Sequence, residues 1–146
     1  MLNTTTEACR RALIEILENR SARLDVRERA LEMLHLHPSQ EALDTCIRFL
    51  SAPEVSLRFW AAYTLGNSFF RGAVGAAATT ALETVLGDHE VAPGWWSVGR
   101  EAEALLAGLH HDEAARDRVQ TEIRQIQADP NATPEDRRWA ECYSDV

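Results

Sequence analysis

LRFWAAYTLG, residues 57–66, carries an apolar anchor at Leu57, an arginine directly after it, a small residue at Ala61 and a large apolar one at Leu65. DVRERALEML, residues 25–34, repeats that order with Val26, Arg27, Ala30 and Leu34. VGREAEALL, residues 98–106, keeps the anchor, small and large positions as Val98, Ala102 and Leu106. A partial fourth copy is DRRWAE at 136–141, where Arg137, Trp139 and Ala140 fall in register with Arg58, Trp60 and Ala61. Offsets of four and eight place the three positions on one face of a helix. A small residue at the same place in each copy lets neighbouring helices approach closely, and the large residues fill the groove between them. The copies begin 31, 41 and 38 residues apart, as in a chain that stacks one supersecondary unit on the next.

Outward from these copies, almost every segment has helical periodicity and nothing alternates as a half-buried strand would. Thr4 and Glu7 form a capping-box pattern opening a helix to about Asn19, with Ala8, Ala12, Ile16, Leu13 and Leu17 on one face. The second helix ends near His37-Pro38, because the residue before a proline resists the α region. Ser39 caps a third helix carrying Ala42, Leu43, Cys46, Ile47 and Leu50, and Pro53 sits in the first turn of a fourth that ends at Gly66-Asn67. A fifth covers 73–86, rich in Ala, Gly and Thr. After the loop DHEVAPGWWS, Ser97 caps a sixth helix to about Leu109. A seventh follows at DEAARDRVQTEIRQIQA, and Thr133, Pro134 and Asp136 open a short eighth. The reading is all-α: one domain over 1–146, a short right-handed α-solenoid of about four antiparallel helix pairs.

These residues resemble the HEAT-repeat family and its bacterial HEAT-like relatives, whose pairs carry an apolar-Arg-x-x-Ala-x-x-x-Leu signature. DVRERALEML and LRFWAAYTLG match it well, VGREAEALL fairly, and residues 112–146 poorly. The resemblance implies that the second helix of each pair lines the concave side of the stack.

Composition narrows the function. The formal net charge is −8, and all 15 cationic side chains are arginine, so the field repels phosphate backbones and attracts a basic partner. Nucleic acid is therefore not the expected ligand. Cys9, Cys46 and Cys142 are odd in number and lack metal-knuckle spacing, and are expected as buried, reduced thiols. With no signal-like or membrane-length apolar run, the expectation is a cytoplasmic protein without a membrane partner. His35 and His37 lie two repeats from His110 and His111; with packed helices roughly 8–10 Å apart, that is about 20 Å, too far for one ion. No cofactor or metal site is expected, and no motif places a catalytic residue.

The stretch 54–70, which contains the fourth helix, has more than a core stripe. Leu57, Ala61, Leu65, Ala62, Val55 and Phe59 share one broad side, whereas Trp60 and Tyr63, with Ser56 and Asn67, fall opposite. The positions equivalent to Trp60 are Arg29, Glu101 and Trp139; those equivalent to Tyr63 are Glu32 and Ala104. Together they read as a partner-binding stripe of aromatics bordered by Arg and Glu, the composition of interaction hot spots. The alternative is that Trp60 packs beneath the loop holding Trp95 and Trp96. Those two indoles either staple their loop to the solenoid or join the stripe. If Trp60 and Tyr63 face solvent, replacing either by Ala changes stability by less than about 1 kcal/mol. Arg27 and Arg58, at the edge of the core stripe, are expected to pair with a carbonyl or carboxylate of an adjacent turn.

The resulting expectation is a non-enzymatic protein-binding module. The resemblance extends to small acidic HEAT-like immunity proteins that occlude a toxin, and a basic nuclease toxin would suit the charge. It also extends to bilin lyases and alkylpurine glycosylases, with Trp60, Trp139 and Glu101 as aromatics and carboxylate, and to structural subunits of assemblies.

Overall fold

The computed structural model describes residues 4–146, Thr4 by its backbone alone, so the Thr4 cap lies outside the described residues. Among the described residues eight helices follow one another: α1 (Thr4–Glu18), α2 (Leu24–Met33), α3 (Gln40–Phe49), α4 (Val55–Ser68), α5 (Gly72–Glu83), α6 (Val98–Gly108), α7 (Glu113–Ala128) and α8 (Pro134–Cys142). A single 3-10 turn, Leu34–Leu36, ends the second helix ahead of Pro38. Among the described residues the only β-pairing is one isolated bridge, Val91 with Ser97.

The caps follow side-chain chemistry. Ser39 accepts from the Ala42 amide, Ser97 from Arg100 and Asp112 from Ala115. Thr133 and Asp136 form the reciprocal capping box, with Pro134 at the first helical position. Pro53 lies just before α4, whose N-cap is Glu54.

The layers are those of an α-solenoid. α2 packs on α4 and α4 on α6 along one side; α1 packs on α3 and α3 on α5 along the other. Each early pair is closed by its own hairpin contacts, and α6 carries α7, which in turn packs on α8. Leu57, Ala61 and Leu65, with Val98, Ala102 and Leu106, are all inaccessible to solvent. The helices touch closely at Gly66, where a Cβ would come within 2.5 Å of the Leu105 side chain. A methyl group there would push α4 and α6 apart.

Four expectations need correction. Val26, the first anchor, is 42% exposed. Among the described residues α2 has a neighbour of its own layer on one side only, whereas α4 has two. In α1 the buried side chains are Ile14 and Leu17, while Ala8, Ala12 and Ile16 face outward. Ser56 is buried instead of lying on an open face, because α4 is surrounded by α2, α3, α5 and α6. The thiols also divide: Cys46 is buried, and burial pushes it up to about 12, but Cys9 and Cys142 are exposed.

Arginines tie each repeat to the next. Arg27 donates to the Leu17 carbonyl at 2.9 Å and pairs with Glu54 at 3.5 Å. Arg58 donates to the carbonyls of Ala52 and Pro53 at 3.0 and 3.1 Å, and pairs with Asp88 at 2.8 Å and Glu90 at 3.0 Å. Arg100 pairs with Asp136 and stacks its guanidinium 4.8 Å from the Trp139 ring. The arginine after the anchor thus spans two turns at once, as its planar fork permits. Arg58→Ala would leave Asp88 and the Ala52 carbonyl without this partner, and a loss of about 2 kcal/mol is expected in chemical denaturation. Wild-type stability in that variant would remove Arg58 from the framework.

Candidate functional site

The repeat register brings equivalent positions to one place. Arg29 and Glu32 of α2, Trp60 and Tyr63 of α4, and Glu101 of α6 line a single surface cavity of about 580 Å³. The rest of its wall is Phe59, Trp95, Trp96, Cys142 and Tyr143. A volume of that order is normal for a small-ligand or side-chain pocket.

The 88–97 loop builds one wall because its backbone is fixed. Ala92 donates to Trp96 O at 3.0 Å, Trp95 to Ala92 O at 2.9 Å and Gly99 to Asp88 O at 2.8 Å. Gly94 takes φ +82°, a turn conformation that disfavours side chains. A Cβ on Gly99 would stand 2.5 Å from the Leu86 carbonyl, so glycine is needed where the loop passes the start of α6. Arg58 holds the same loop through Asp88 and Glu90. The arginine inside the repeat motif therefore positions the indoles without touching the cavity.

The rings meet at right angles. Trp60 is edge-on to Tyr63 (5.1 Å, 77°) and to Trp95 (5.7 Å, 82°); Trp95 is edge-on to Trp96 (5.5 Å, 89°), and Trp96 to Tyr143 (5.9 Å, 79°). Phe59, 1% exposed, lies beneath them and stacks on Trp95 at 5.9 Å. Edge-to-face pairs of this kind add to simple area burial. Trp95 remains 40% exposed, while Trp96 is buried and donates its indole N–H to Glu101 at 2.5 Å. Trp96 thus staples the loop to α6, while both indoles line the cavity and Trp95 is the open one.

Glu101 is 1% exposed. It accepts from Trp96 and, at 3.0 Å, from the Tyr143 hydroxyl. Burial raises its pKa to about 7, against the lowering effect of those two donors. No arginine forms an ion pair with it among the described residues. Arg29 is committed to Glu32 at 3.1 Å.

Trp139 and Asn67 stand apart from this group. Trp139 is 0% exposed; it is covered by Arg100 and adjoins Tyr143 at 6.3 Å. It offers no ring to a partner, because the last pair departs from the stacking of the earlier three. Asn67 is half-buried and donates to the Tyr63 carbonyl at 2.8 Å, which satisfies the end of α4. Tyr143, Phe59 and Cys142 were not foreseen in the cavity. The only hint of Tyr143 was its place four residues after Trp139. Trp60 and Tyr63 are half-buried with ring contacts, so Trp60→Ala is expected to cost about 1–2 kcal/mol by thermal or urea unfolding. A change below a few tenths would show that the ring has no packing role.

His110 takes a structural place between α4 and α5. His110 shares a hydrogen bond with Thr79 through Nδ1 at 2.7 Å and reaches the Gly66 carbonyl through Nε2 at 3.2 Å. Burial holds its pKa below the usual value. No group of three or more His, Cys, Asp or Glu side chains converges to hold a metal ion among the described residues, and no helix there is long and apolar enough to cross a membrane.

No curated protein and no solved structure matches the chain. A family model described as HEAT repeats matches residues 10–93, more than half of it. That span runs from α1 into the loop carrying the indoles, and holds the two closest copies of the repeat together with the Arg27 and Arg58 bridges. The chain belongs to the HEAT-repeat family.

Proposed function

We propose that the protein is a non-enzymatic binding module that docks another protein through the cavity shared by α2, α4 and α6. HEAT repeats generally serve as protein-interaction modules. The observation that carries the reading is the exposed Trp95 indole beside Trp60 and Tyr63, rigid aromatics of the kind that anchor interfaces. With a net charge of −8, the partner is basic and its approach is electrostatically steered. The finer form is an inhibitor that occludes the active site of a basic toxin, acting in the cytoplasm. Affinity capture from the native host, in parallel with a Trp60→Ala/Trp95→Ala variant, tests this. A basic protein with toxin activity, retained by the wild type and lost by the variant, is the expected result. Equal recovery by both would overturn the assignment of this face.

One observation favours a second reading, a HEAT-like enzyme. A carboxyl group poised near neutrality at a cavity suits acid–base chemistry, and Glu101 is such a group. A nucleic-acid substrate for such an enzyme would require binding to a DNA oligonucleotide that weakens steeply between low and moderate salt. Absence of binding at low salt would eliminate it.

A further inference from the structure

We infer that the aromatic cavity is a site for an organic cation, an ammonium or guanidinium group received by the faces of Trp60 and Trp95 and by the carboxylate of Glu101. Cations are attracted to the faces of indole and phenol rings, most strongly where water is excluded. Above the Phe59 floor, Tyr63, Trp60, Trp95, Trp96 and Tyr143 follow one another at 77–89°, the arrangement that surrounds a compact charge instead of sandwiching a flat apolar group. The chain already makes such a contact, with Arg100 over Trp139.

Charge separates this from a purely apolar pocket. Glu101 is buried at the cavity without an arginine partner, and an uncompensated buried carboxylate is costly. A cation entering the cavity supplies the missing partner. Arg29 does not fill that role, since it pairs with Glu32 at 3.1 Å and its side chain is largely in solvent. The other titratable groups around Glu101 are Tyr143 and Cys142 at the end of α8, Tyr63 on α4 and Glu32 on α2. None carries a positive charge. The loop wall is pre-formed by its backbone bonds, so little ordering is needed on binding.

This deepens the docking proposal and rests on it for location alone. The shared chemistry has two sources, a basic side chain of a protein partner or a free quaternary ammonium compound. The isolated protein is titrated, by tryptophan fluorescence, with choline, with its uncharged isostere 3,3-dimethylbutan-1-ol, and with a Gly-Arg-Gly peptide amide. Choline or the arginine peptide is expected to bind at least about tenfold more tightly than the isostere, and the tighter of the two identifies the source. Trp60→Ala and Glu101→Gln should each weaken the cation about tenfold, with Glu101→Gln leaving the isostere unchanged. Choline does not titrate, so its affinity should rise several-fold from pH 6 to pH 8 as Glu101 ionises, and Glu101→Gln should flatten that profile. Equal binding of choline and isostere, or no response to either cation, would overturn the cation site while leaving protein docking open. A captured protein that binds wild type and Trp60→Ala/Trp95→Ala alike would overturn docking and leave the choline result standing.

Discussion

Phe59→Ala is expected to destabilise the protein by about 3–5 kcal/mol, the usual cost of emptying a phenylalanine site in a packed interior. Phe59 is 1% exposed and supports three indoles, with ring centroids at 5.6 Å to Trp60, 5.9 Å to Trp95 and 6.2 Å to Trp96. The loss therefore joins a void in the core to a weakened wall of the aromatic cavity. Urea unfolding gives the stability, and the tryptophan emission of the folded variant should shift to the red as Trp95 gains water. Phe59→Leu keeps most of the volume and should cost under about 1.5 kcal/mol. If Phe59→Ala unfolds within about 1 kcal/mol of the wild type, the ring does not support the cavity.

Glu101→Gln is expected to act in the opposite direction, stabilising the protein by roughly 3 kcal/mol at pH 8. The folded carboxyl titrates near 7 and the unfolded one near 4.5, mainly because burial disfavours the charge. Between those values the folded protein holds a proton that the unfolded chain has released. Stability from this group is complete below about pH 4.5 and is lost as the pH rises through 7. The interval converts to the quoted magnitude at 1.36 kcal/mol per decade. Gln reproduces the protonated form: its carbonyl accepts from the Trp96 indole and its amide donates to the Tyr143 oxygen. The advantage of the variant should fall below about 1 kcal/mol at pH 5. Parallel denaturation curves at pH 5 and pH 8 measure it, and an identical pH dependence in both proteins would show that Glu101 is ionised throughout. Removing a group that weakens the fold and is predicted to strengthen cation binding is the trade expected at a binding site.

The helices were legible because their signals are local. Ser39, Ser97 and Thr133 each cap where their side chains can reach the third amide onward, and Pro38 ends a helix by its own ring. The repeat was legible as well, since Ala61 and Leu65 must recur wherever two helices touch in the same way. Register even placed Arg29, Trp60 and Glu101 on a common line. The wheel failed at Ser56 because it assumes one buried side, and α4 has neighbours nearly all round.

The sequence by itself determined that the chain is a stack of helix pairs, where the helices lie along it, and which residues form the seam of the central pairs, though not Val26 or the face of α1. Periodicity and capping depend on separations of a few residues, which a linear string records. Only the tertiary structure decided that Trp95 is open while Trp96 is closed, that Trp139 is swallowed beneath Arg100, and that Tyr143 reaches across 42 residues to Glu101. Those outcomes depend on how one repeat is rotated against the next, and that rotation is set by the summed packing of side chains distant in sequence.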